Sequence, residues 1–271
     1  MRPPLCLTRR PPGTTRRRFW AAALLCCGLL GPAAFAQAPP PAGTTLHVAA
    51  ASSLAQAMPE LARAFEASHP GVTVRVSLGA SGALLEQLAQ GTPTDVLASA
   101  DADTLARGLE RRLLQPDSQR SFASNTLVLV LPAASTLPVQ RLTDLAQVDV
   151  QRIAMGKTAT VPAGRYARQA IDAARLWPAL QRKIVQADSA SHALDLVQRG
   201  DVDAAFVYGT DARQAGARVR LVQTLSGHMP IRLGAAVAVG SKQAALAAAF
   251  VQFLRSEAAR AVLLRLGFGV L

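Results

Sequence analysis

Ala49-Ala50-Ala51-Ser52-Ser53-Leu54 is the stretch whose reading decides the fold. Ahead of it, Leu46-His47-Val48-Ala49 reads as a strand. Behind it, Leu54, Met58, Leu61 and Phe65 recur at helical spacing. A strand therefore hands over to a helix at a serine. The same junction returns at Gly79-Ala80-Ser81-Gly82, without a serine at Val161-Pro162-Ala163-Gly164, and again at Ser189-Ala190-Ser191. The first turn of a helix carries N–H groups without partners and a partial positive charge. Each junction can seat an anion, and several converging on one point make an oxyanion site that needs no Arg or Lys.

Outward from these junctions the chain keeps alternating. Val72 to Leu78 is a strand with Val72, Val74 and Val76 on one face, and a helix follows from Gly82 to about Gln90. Val96-Leu97-Ala98, Thr126 to Leu131, Ile153-Ala154-Met155, Ala204 to Tyr208 and Gly234 to Val239 are apolar strands, and Lys242 to about Leu266 is helical. Such alternation predicts an α/β protein with mainly parallel sheets covered on both faces. The strands at 126–131 and 234–239 bracket the middle third of the chain. Residues 44–124 and 232–271 are therefore assigned to domain I, and 125–231 to domain II. Ligands in such folds sit at the carboxyl ends of strands, where all these junctions fall.

The front of the chain is an address rather than part of the fold. Six arginines without an acidic residue precede an apolar run from Phe19 to Leu30 and then Ala34-Phe35-Ala36. That order is a signal peptide over 1–36, cleaved near Ala36, with Arg16-Arg17-Arg18 suggesting a twin-arginine signal. Leu25 ahead of Cys26 argues against a lipid-anchored cysteine, and 37–43 reads as a flexible leader. The chain of 271 residues has a formal charge of +12 from 29 basic and 17 acidic side chains. Without the six leader arginines 23 basic residues remain, dispersed and without interleaved aromatics, which argues against a nucleic-acid partner. Cys6, Cys26 and Cys27 all leave with the leader, so the exported product has no thiolate nucleophile and no cysteine metal ligand.

Ser53 and Ser81 are placed as helix N-caps. Pro162 suits a first helical turn and leaves the N–H groups of Ala163 and Gly164 free. Tyr208, at the end of an apolar strand, offers a further hydroxyl. Tyr166 reads as structural, and Arg165 is expected to face solvent. Enzyme readings find little support. Gly79-Ala80-Ser81-Gly82-Ala83 lacks the second glycine of a nucleophile elbow, and His47, His69, His192 and His228 occur without a catalytic or zinc motif. No Walker or dinucleotide fingerprint is present, so neither an enzymatic activity nor a cofactor is expected.

Taken in order, Ala49-Ala50-Ala51-Ser52-Ser53-Leu54, Gly79-Ala80-Ser81-Gly82 and Thr94-Asp95-Val96-Leu97-Ala98-Ser99-Ala100-Asp101 resemble the periplasmic molybdate-binding proteins of ABC transporters. Val161-Pro162-Ala163-Gly164-Arg165-Tyr166-Ala167, Val207-Tyr208-Gly209-Thr210-Asp211-Ala212 and Leu266-Gly267-Phe268 extend the resemblance over essentially all the exported chain. It implies a type II periplasmic-binding-protein fold, two domains with a hinge between them. It also implies an oxyanion held by Ser53, Ser81, the amides of Ala163 and Ala190, and Tyr208, with no direct ligand to the metal. Pro59, inside the helix after Ser53, departs from the pattern and is expected to kink that helix. The implied partners are molybdate or tungstate, a membrane permease and its cytoplasmic ATPase, with the binding protein a periplasmic monomer. The alternatives are a receptor for sulfate or another small anion, a ligand-sensing domain, or a secreted hydrolase using Ser81 and a histidine.

Overall fold

The structure is a computed structural model that describes residues 43–271. The signal peptide assigned to 1–36 and all but the last residue of the leader lie outside the described residues. The chain opens with β1 (Thr44–Ala51), α1 (Ala57–Ser68), β2 (Val72–Gly79), α2 (Ser81–Ala89), β3 (Val96–Ser99), α3 (Ala102–Glu110) and β4 (Arg120–Asn125). A second run follows: β5 (Leu127–Pro132), β6 (Ile153–Gly156), α4 (Pro162–Ala173), α5 (Trp177–Leu180), β7 (Ile184–Ala187), α6 (Ala190–Gln198), β8 (Ala204–Tyr208), α7 (Gly209–Ala215) and β9 (Val219–Thr224). The chain then returns through β10 (Ile231–Val237), α8 (Ala244–Phe253), α9 (Glu257–Arg265) and β11 (Gly269–Val270).

These strands form two sheets, ordered β11-β4-β10-β3-β1-β2 and β7-β6-β8-β5-β9. The sheets are more mixed than the alternation predicts. β1 runs parallel to β2 and β3, and β6 parallel to β7 and β8. β10 pairs antiparallel with β3 and β4, and β5 antiparallel with β8 and β9. The antiparallel strands are those by which the chain leaves one sheet and re-enters it. The two crossings lie side by side: Ile231 pairs with Asn125, and the Leu225 N–H donates to the Leu127 carbonyl at 2.8 Å.

Both faces of each sheet are covered, which explains the continuous apolar strands. Along β5, Leu127, Leu129 and Leu131 enter one core while Val128 and Val130 enter another beneath α6 and α7. Along β3, Val96 and Ala98 face the first of these cores and Leu97 faces a cluster under α2 and α3. α1 buries Met58, Leu61 and Phe65, and Phe65 meets Phe250 of α8 edge to face at 5.1 Å between ring centres.

Two expectations about helices change. The segment after Ser53 is a short 3₁₀ turn, Ser52–Leu54, and α1 begins only at Ala57. Pro59 thus falls in the first turn of α1, where a missing N–H costs nothing, instead of kinking a longer helix. The C-terminal helix is two helices, because the Ser256 side chain accepts the Ala259 N–H and starts α9 afresh.

Candidate anion-binding site

The carboxyl ends of β1, β2, β6 and β8 meet at one small cavity of about 10 Å³. Ser53, Ser81, Ala163, Ala190 and Tyr208 all line it. The first sheet supplies Ser53 and Ser81; the second supplies Ala163, Ala190 and Tyr208. Clefts of about 300 Å³ and larger lie elsewhere. The small cavity is distinguished by its chemistry rather than by its size.

That chemistry is a shortage of acceptors. Ser53 Oγ and Tyr208 OH are buried and have no hydrogen-bond partner, and they are the side-chain polar atoms in that position among the described residues. Leaving a buried hydroxyl unpaired costs about 1–3 kcal/mol, so two of them facing one cavity call for a ligand. Ser81 differs. Its Oγ accepts the Ala100 N–H at 3.1 Å, which fixes the oxygen, and its proton has no acceptor among the described residues. Neither serine caps a helix through its side chain, contrary to expectation. Burial holds the Tyr208 hydroxyl well above the usual phenol range, with the nearby Tyr166, Asp101 and Asp211 adding to it. Tyr208 is therefore a donor at any physiological pH.

The backbone donors come from helix starts. Pro162 opens α4, and the N–H of Ala163, the next residue, has no acceptor among the described residues. The Gly164 N–H, expected to be free as well, donates to the Val161 carbonyl at 3.0 Å. Gly164 serves packing instead: a Cβ there would lie 1.9 Å from the Gly156 carbonyl oxygen. Ala190 is the first residue of α6, whose cap is Ser189, accepting the His192 N–H at 3.0 Å. The Ala190 N–H likewise has no acceptor among the described residues. α2, α4 and α6 thus point their positive ends at the cavity.

Charge is kept beside the cavity, not in it. Arg165 was expected in solvent, yet its guanidinium is 17% exposed and paired with Asp101, 3% exposed, at 2.5 Å. Asp211 is buried at the start of α7 and accepts the Tyr208 N–H at 3.2 Å; burial raises its pKa to about 7 although that hydrogen bond opposes the rise. His192 faces away, its Nδ1 accepting the Asp188 N–H at 3.2 Å. Among the described residues no cluster of His, Cys, Asp and Glu could hold a metal ion. None of their helices is long and apolar enough to cross a membrane. Sequence reasoning missed the Arg165–Asp101 pair. Its only signal is that the two residues abut junction motifs in separate parts of the chain.

A two-sheet α/β body with donors converging at the carboxyl ends of its strands is the architecture of a solute-binding protein. Residues 46–269 match the model of the bacterial extracellular solute-binding proteins, and the chain belongs to that family. The chain is 31% identical over 231 residues to the molybdate-binding protein ModA of Escherichia coli, an alignment covering 83% of this chain and 89% of that protein. The periplasmic molybdate-binding protein of Azotobacter vinelandii superposes with a TM-score of 0.73 at 24% identity, covering 82% of this chain and 98% of that one. The sulfate-binding protein SubI of Mycobacterium tuberculosis superposes with a TM-score of 0.71 at 20% identity, covering 83% and 86%. These likenesses establish the fold, and the family is one of solute-binding proteins rather than enzymes.

Proposed function

We propose that this chain captures molybdate, and tungstate with it, outside the cytoplasm and delivers it to the permease of an ABC transporter. In this reading residues 44–124 and 232–271 form one lobe and 125–231 the other, and the lobes close on the anion like a hinged clamp. Ser53, Ser81 and Tyr208 donate hydroxyls, and Ala163 and Ala190 donate amides. The protein is exported, cleaved near Ala36 and works as a periplasmic monomer.

One observation carries the reading: two buried hydroxyls without partners face a cavity where two helix-start amides are also free. A dianion without a proton can only accept hydrogen bonds, so a donor-only site complements it. A protonated phosphate would leave its O–H without an acceptor there. The molybdate-binding relatives favour molybdate over sulfate as the occupant.

Calorimetric titration with molybdate, tungstate, sulfate and phosphate tests this. Molybdate and tungstate are expected to bind alike and much more tightly than the others. Tight sulfate binding with no response to molybdate refutes the proposal. Molybdate-dependent stimulation of a reconstituted permease–ATPase tests delivery.

A further inference from the structure

Arg165 sits in α4, on the second-sheet side of the cavity, and reaches across to the first-sheet side. Its Nη2 donates to Asp101 Oδ2 at 2.5 Å and to Thr104 Oγ1 at 2.9 Å, and its Nε donates to Asp101 Oδ2 at 3.2 Å. Its Nη1 turns back and donates to the carbonyls of Thr158 and Ala159 at 3.2 and 3.4 Å. The guanidinium therefore fastens three things at once: the carboxylate, the start of α3, and the loop leading into α4. Both ends of the pair abut the cavity walls. Asp101 follows Ala100, and Arg165 lies two residues beyond Ala163.

A second cross-connection lies beside the first. The Gly82 N–H, in the first turn of α2, donates to the Thr160 carbonyl at 2.9 Å. Thr160 belongs to the loop that Arg165 holds. The approach is so close that a Cβ on Gly82 would lie 2.7 Å from the Thr160 oxygen. An exposed ion pair contributes little, but this one is mostly shielded and bound at several points. Removing one partner would leave the other buried and uncompensated.

We propose that Arg165 and Asp101 form a latch that holds the two lobes shut and sets how slowly the bound anion leaves. The inference rests on the proposed function for the identity of the anion and for the closing of the two lobes. Arg165 is a positioning residue: it touches no ligand donor and acts through closure. Whatever raises the closed fraction raises apparent affinity for every anion in proportion. The latch thus governs affinity, and the cavity governs choice.

Four variants and two readouts test this. Arg165→Gln is expected to raise the dissociation rate of radiolabelled molybdate at least tenfold while leaving the molybdate-to-sulfate preference unchanged. Arg165→Lys should recover part of the loss, since an ammonium can meet Asp101 but cannot also fork to Thr104 and the loop. Asp101→Asn keeps the cap of α3 and should also speed release. Tighter binding by Asp101→Asn would mean that charge beside the anion, not closure, governs affinity, and would overturn the latch. The second readout needs no ligand. The Gly82 amide should exchange with solvent several-fold faster in Arg165→Gln than in the wild type, with the Leu97 amide of β3 unchanged as a check on folding. Equal exchange at Gly82 overturns the latch. Should Arg165→Gln fail to fold, Arg165→Lys carries both measurements, with intermediate values expected and wild-type values overturning the proposal. The fourth variant, Gly82→Ala, should speed exchange at position 82 and release alike. If the wild type takes up no molybdate, the proposed function falls and Gly82 exchange still decides the latch.

Discussion

The two walls of the cavity supply donors in different ways. The wall from the first sheet offers the hydroxyls of Ser53 and Ser81; the wall from the second offers the amides of Ala163 and Ala190 together with Tyr208. A hydroxyl is lost with one substitution. An amide is supplied by the chain itself and is lost only when the backbone moves. The first wall is therefore open to attack at the donors, and the second at whatever seats its helix.

The most damaging single change is expected on the second wall. Gly164→Ala places a methyl 1.9 Å from the Gly156 carbonyl, so α4 must shift. Molybdate affinity should fall more than about 100-fold, and the melting temperature by about 5 °C, in line with the usual cost of overpacking. Calorimetry and thermal unfolding of one preparation check both.

On the first wall the two serines should part company. Ser81→Ala removes a donor and also orphans the buried Ala100 N–H, so binding weakens about 10- to 100-fold and the ligand-free fold loses about 1–3 kcal/mol. Ser53→Ala removes a hydroxyl that has no partner before the ligand arrives. Its affinity loss should match that of Ser81→Ala, while stability in urea stays level or rises. A Ser53→Ala protein as destabilised as Ser81→Ala would erase the distinction. Tyr208→Phe should behave like Ser53→Ala, for the same reason.

A smaller effect concerns pH. Burial lifts Asp211 to about 7 in the folded chain, above the ordinary 3.8. Between those values the folded protein holds a proton that the unfolded chain lacks. The contribution of this group to stability is therefore complete below about pH 4 and declines as the pH rises towards 7. Asp211→Asn keeps an acceptor for the Tyr208 N–H and should flatten that part of the curve in urea titrations at pH 4.5 and 7.5. The mildest change should be Ala190→Gly. The amide stays, affinity remains within about threefold, and stability drops by no more than about 1 kcal/mol.

Much of this was legible in the sequence because the junctions are local signals. The strand-to-helix handovers at Ser53, Ser81, Ala163, Ala190 and Tyr208 can be read from a few adjacent residues, and all five meet in one cavity. What stayed illegible depends on contacts distant in the chain. Arg165 and Asp101 are 64 residues apart, and the junction motif that each abuts does not say that they meet. Three strands were equally hidden. β4, β7 and β9 are short or half-buried and lack a clear alternation, so they pass as loops until their neighbours pair with them. The cap reading of Ser53 and Ser81 failed for a related reason. A serine at a helix start caps its own helix by default, and only the Ala100 amide and the cavity, both remote in sequence, redirect these two.

The paired crossings have a consequence for how such a molecule can be taken apart. Residues 127–224 form one unbroken stretch that builds a whole sheet, and its two ends lie next to each other where Asn125 meets Ile231. Both ends of the described chain belong to the other sheet. In the language of gene architecture, one half is an insertion within a loop of its host. A graft that exchanges this segment between relatives has to rejoin the chain at only two neighbouring points. A fluorescent reporter on each half would then register the distance between them, with neither placed near the cavity.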